Sequence, residues 1–186
     1  EPADETEPVT VVTLGASAAP MTLPPGVEQP ARFELLLRLP RSWPLSSAAS
    51  TLERRDGWPL HWLRAMAQLP RRFGSWLGPG HTIPNGEPPK PFAEGTELAS
   101  FVLVPPACLE EGQDLVATPD GPVLLLAALP LYPAELTLLL ERGGPALRVL
   151  VDADEHLGAA TGARDGGRER AVRGAADADD VHAARL

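Results

Sequence analysis

The sequence predicts an α+β fold: a single mixed or antiparallel sheet covered by amphipathic helices, with a long Gly/Pro-rich loop. Three observations carry this. ARFELLLRL (31–39) sets Ala31, Phe33, Leu35, Leu37 and Leu39 on one face and Arg32, Glu34 and Arg38 on the other, the period-2 signature of a half-buried strand. PVLLLAAL (122–129) is apolar on both faces, which suits a central strand. In WPLHWLRAMAQL (58–69), Leu60, Trp62, Leu63, Met66, Ala67 and Leu69 fill one wide arc while His61, Arg64 and Gln68 share the other side. That segment is an amphipathic helix lying on a sheet, and its aromatic and Met stripe is core packing.

Taken in chain order, VTVVTL (9–14) is β-branched and reads as a short strand, broken by GASAAPMTLPPG. The strand 31–39 follows. Pro59 suits the first helical position, so the helix spans 59–69, with a short separate helical piece from Arg71 to Leu77. A long loop covers 78–97. ELASFVLVPP (97–106) is a strand, and QDLVAT and PVLLLAAL are two more around the turn PDG. Pro133 opens a helix with Leu136, Leu139 and Leu140 inward and a stop at Gly143 and Gly144, and PALRVLVDAD adds another helical stretch. One domain is expected over 9–156. Residues 157–186, rich in Ala, Gly, Arg and Asp with few large apolar residues, form a tail expected to hold little packed structure.

Composition narrows the function. A chain of 186 residues with 44% hydrophobic content can bury a core without metals or disulfides. Cys108 is the only cysteine, and histidines 61, 81, 156 and 182 lack zinc-ligand spacing, so no metal or cofactor is expected and a cytoplasmic setting fits best. Cys108, after VPPA, reads as a small apolar filler rather than a nucleophile. The apolar run VLLLAALPLY is about half the roughly 20 residues needed to cross a bilayer, so no membrane role is expected. The chain begins EPADETEP without Met, which reads as a trimmed start. Net charge is −9, and residues 157–186 balance five Arg against five acids, so the excess lies in the body. An acidic body argues against direct nucleic-acid binding, which relies on Lys and Arg, and favours a basic protein partner. One lysine against fifteen arginines suggests a GC-rich, bacterial genome.

The densest stretch is WLGPGHTIPNG (76–86). Gly78, Gly80 and Gly86 permit backbone angles closed to other residues, while Pro79, Pro84, Pro88, Pro89 and Pro91 restrict the chain, so the loop is shaped rather than floppy. A low ordering cost favours recognition. The candidate partner-binding residues are Gly78, Gly80, His81, Thr82, Pro84, Asn85, Gly86 and Pro88, with Trp76 and Ile83 as inward anchors. Two structural alternatives stand beside this: IPNG is a common turn in which Asn85 bonds its own backbone, and His81 is a buried residue holding the loop. Catalysis is weakly signalled. No G-x-S-x-G elbow occurs and the loop lacks the Gly-Lys-Ser/Thr ending of a P-loop, so a hydrolase would rest on His81 alone.

TLGASAAPM, ARFELLLRLP, the block from Trp58 to Phe92, a strand ending VLVPP, and an apolar strand running into LPLYPAEL resemble, in that order, the bacterial suppressor of fused-like domain family. The similarity covers about residues 9–152 and is most specific at 76–92. It departs at a shortened N-terminal segment and in the tail after Asp154. The resemblance implies a non-catalytic binding protein. Eukaryotic relatives restrain a Hedgehog-pathway transcription factor by gripping a peptide from it, and bacterial relatives look like immunity proteins that neutralise toxins, often nucleases. In the eukaryotic domain this loop helps line the peptide groove, with an acidic residue where Gly80 stands here. The reading is therefore a protein-binding module, most plausibly a toxin-neutralising immunity protein with a basic toxin domain as partner. The alternatives are a regulatory scaffold and a hydrolase using His81.

Overall fold

A computed structural model describes residues 8–45, 55–110 and 112–157. Six strands form one mixed sheet: β1 (Val9–Val12), β2 (Arg32–Leu39), β3 (Thr82–Pro84), β4 (Ser100–Val104), β5 (Leu115–Val116) and β6 (Val123–Leu131). Their order is β1-β2-β6-β4-β3, with β5 also on β6, so β1 and β3 end the sheet on opposite sides. Only β2 and β6 run parallel, with Arg32 opposite Val123 and Leu36 opposite Ala127. The α+β expectation therefore holds. The doubly apolar strand does sit centrally, and Pro130 falls beyond its last pair with β2, where a missing N–H removes no bond to that neighbour.

Both faces of the sheet are covered. Helix α1 (Trp58–Phe73) lies on one face, where Trp58, Leu63 and Met66 pack with Phe33, Leu35, Leu103 and Leu126. Helices α2 (Pro133–Arg142) and α3 (Gly144–Leu157) cover the other, where Leu136, Leu139, Ala146 and Leu150 meet Val102, Val104, Leu129 and Leu131. Strand β2 is more than half-buried: Leu36 and Glu34, on the face expected to be polar, are buried as well, Glu34 beneath the 13–17 stretch that bonds its carboxylate.

Several local expectations are corrected. The separate helical piece 71–77 does not exist. Instead α1 runs through Pro70 to Phe73, because a proline in the last turn forfeits only one helical bond. The helix stops at Gly74, whose left-handed backbone (φ 57°) lets its N–H cap the Pro70 carbonyl. Leu140 is 69% exposed, since the buried side of α2 carries Glu135, Leu136 and Leu139. QDLVAT contributes only the exposed pair Leu115–Val116, and the first strand ends at Val12. Cys108 is exposed, so it fills no core. Of the tail, Leu157 ends α3, and residues 158–186 lie outside the described residues.

Candidate functional site

The loop that the sequence singles out begins where α1 ends and closes the β3 end of the sheet. Its base is the 5%-exposed Leu77, whose N–H donates to the Met21 sulfur at 3.2 Å and whose carbonyl accepts from Gln29 Nε2 at 2.8 Å. Trp76 is partly buried against the main core, as is Ile83. Gly78 is buried beside them. A Cβ there would stand 2.5 Å from Gln29 Oε1 and 2.7 Å from the Trp76 ring, so only glycine lets the backbone pass this close.

Beyond Gly78 the chain turns outward. Part of the expected loop is a short edge strand: Thr82, Ile83 and Pro84 pair with Val102, Phe101 and Ser100. Main-chain bonds extend this pairing at both ends. Gly80 N–H donates to the Leu103 carbonyl at 2.7 Å, Leu103 N–H to the His81 carbonyl at 2.9 Å, and Asn85 N–H to the Ala99 carbonyl at 2.9 Å. Gly80 and Gly86 adopt φ of 84° and 89°, the turns that lead into and out of β3. The Asn85 amide donates to the carbonyls of Lys90 (2.9 Å) and Pro91 (3.1 Å), so its Nδ2 closes the turn 85–91 from within. Further on, Phe92 stacks on Trp58 at 5.1 Å and lies 4.6 Å from Phe101, pinning the far end of the loop in the core.

The structure thus brings Gly80, Pro84, Gly86 and Pro88 together on the exposed side, with His81, Thr82 and Asn85 partly covered and Gly78 turned inward. The His81 ring sits edge-on to Trp76, centroids 4.2 Å apart. Among the described residues no hydrogen bond joins that ring to a nucleophile or a carboxylate. What the arrangement offers chemically is a shaped surface of prolines, glycine carbonyls and one imidazole edge, next to the outer backbone of a terminal strand.

Sequence reasoning missed the most elaborate polar site. Glu34, 7% exposed in β2, accepts hydrogen bonds from Thr13 Oγ1 (2.6 Å), Gly15 N–H (2.9 Å), Ala16 N–H (3.3 Å), Ser17 N–H (3.0 Å) and Ser17 Oγ (2.7 Å). Burial by itself pushes the carboxyl's pKa up, but the bonds from the Thr13 and Ser17 side chains and the Ser17 and Gly15 amides outweigh it, and the pKa lies below the ordinary 4.5. The available signal was a lone acid inside FELLL, with the Gly- and Ser-bearing TLGAS stretch upstream. Between that stretch and α1 lies a groove of about 710 Å³. Among the described residues no group of three His, Cys, Asp or Glu could hold a metal, and no helix is long and apolar enough to cross a membrane.

The family model described as Suppressor of fused protein matches residues 1–159. None of the curated proteins compared matches the chain. Two solved structures resemble it: one described as the Sufu-Fu complex, at 19% identity and TM-score 0.47, and Drosophila Suppressor of Fused, at 19% identity and TM-score 0.46. Each similarity covers 70% of this chain, which spans 52% of the first solved chain and 29% of the second.

Proposed function

The chain belongs to the Suppressor of fused protein family, and on that premise we propose that it is a non-catalytic protein-binding module of the regulatory-scaffold kind, seating its partner on residues 78–88. The observation that carries this is the loop's shape: a half-buried edge strand whose flanking turns are already fixed by main-chain and Asn85 bonds. Such a surface loses little conformational entropy on binding, and a terminal strand offers backbone groups for an extended partner segment. Family membership supports a binding role over the hydrolase, and the packing of the His81 ring against Trp76 supports it further. Toxin neutralisation is the finer alternative. It rests on the bacterial side of the resemblance, and no feature of the loop selects a toxin over another protein, so the scaffold reading stands first.

The test is to isolate the protein captured by the full chain in its native cells and to measure association of the purified pair. His81→Ala should weaken the complex while leaving turnover of generic ester and phosphodiester substrates at background. With an acidic body and a basic partner, association should slow as salt rises. A reproducible hydrolysis that vanishes with His81→Ala would replace the binding module with an enzyme.

A further inference from the structure

We propose that the groove between residues 14–20 and helix α1 is a second docking surface, and that it takes an extended acidic peptide segment carrying apolar side chains. It lies on the β1 side of α1, reaches the base of the loop at Gly74, and stands on different residues from those that carry the function proposed above.

Charge selects the partner. The chain carries a net −9, yet among the described residues the groove lining contains no carboxylate and two exposed arginines, Arg64 and Arg71, with Gln68 between them on the same side of α1. The rest is mainly apolar, with Val11, Leu14, Phe33, Leu60, Leu63 and Pro70 among the lining residues. The lining residue Leu14 is 94% exposed, and Phe73, beside the lining residue Gly74, is 72% exposed, so two large apolar side chains at the groove stand uncovered.

Shape selects an extended chain. Along α1 the lining runs from Leu60 to Gly74, roughly 21 Å at about 1.5 Å per residue. An extended segment of about six residues spans that length. Arg64 and Arg71 stand two helical turns apart and so suit separated carboxylates, whereas a single-headed amphiphile offers one anionic group to two arginines. Among the described residues β1 ends the sheet, leaving an outer backbone edge against which such a segment can lie. The wall is also preformed, because Glu34 holds Thr13, Gly15, Ala16 and Ser17, and Arg32 Nη1 donates to the Ser17 carbonyl at 2.6 Å.

Fluorescence anisotropy of labelled ELELELEL and KLKLKLKL peptides with the full chain tests this. ELELELEL should bind and KLKLKLKL should not. The double variant Arg64→Glu/Arg71→Glu should bind ELELELEL about tenfold more weakly or worse and gain affinity for KLKLKLKL. Arg72→Glu, on the same helix but outside the lining, should change affinity by less than about twofold. Both lining arginines are exposed, so an unchanged Tm for the double variant separates lost binding from lost fold. Four results would overturn the proposal: no binding of ELELELEL, equal binding of both peptides, indifference to the double variant, or capture by phosphatidylserine vesicles in place of peptide. Tighter ELELELEL binding after deletion of residues 1–7, EPADETE, would also overturn it, by making that acidic segment the occupant.

Discussion

At the β3 end of the sheet, the loop is held by main-chain bonds spread from Gly80 to Phe92. At the β1 end, the wall of the groove is gathered chiefly by one carboxylate, which accepts five hydrogen bonds from Thr13, Gly15, Ala16 and Ser17, with one more bond from Arg32 to the Ser17 carbonyl. The first arrangement is distributed, so removing one contact leaves the others in place. The second is concentrated, so it depends on one residue and on its charge. The difference shows two ways for a chain to preshape a surface: prolines, glycines and edge pairing in one place, and a buried acid wrapped by amides in the other.

The largest expected effect tests what anchors the loop. Leu77 is buried while Trp76 is only partly so; Leu77→Ala should therefore cost about 3 kcal/mol in urea unfolding and Trp76→Ala about 2 kcal/mol. The reverse order would place the anchor on the Trp ring.

Next comes the concentrated end. Glu34→Gln should cost about 2 kcal/mol at pH 7, because the amide cannot accept all the bonds that the carboxylate does and loses their charge. The depressed pKa of Glu34 fixes the sign of the pH dependence. Its contribution is fully present above the ordinary value of 4.5 and is lost as pH falls through the lower folded-state value. The gap in stability between wild type and Glu34→Gln should thus narrow as pH drops below 4.5. A gap independent of pH would mean that shape, not charge, holds the wall.

Smaller effects belong to the distributed end. Gly78→Ala should cost about 1 kcal/mol, since the Gln29 side chain must give way and loosen its bond to the Leu77 carbonyl. Asn85→Ala, which removes two donors facing exposed carbonyls, should cost less than about 1 kcal/mol. If Asn85→Ala proved as damaging as Glu34→Gln, the two ends would not differ in kind.

Much of the fold was legible because its signals are periodic. The alternation of 31–39, the double apolarity of 122–129 and the helical arc of 58–69 each bury a face that the sequence displays. The failures have a common physical source in tertiary cover. Glu34, on the face of β2 expected to be polar, is buried and satisfied by residues seventeen to twenty-one positions upstream, which no local window reveals. Thr82–Pro84 looked like loop because a three-residue edge strand containing proline has no periodicity to read. The site was legible in part. The glycine- and proline-rich stretch at 76–86 marked a shaped loop, but which residues face outward depended on how close Gln29 and Trp76 come to Gly78.

Hydrogen exchange, measured on the free chain and on its complex with the isolated partner, tests most directly whether residues 78–88 are a preshaped docking surface. In the free chain the amides of Gly80, Asn85, Lys90 and Phe92, each bonded to a carbonyl, should already exchange slowly, and partner binding should add protection across 78–88. Free-chain amides exchanging at unfolded rates, or partner protection confined to other parts of the chain, would contradict the claim.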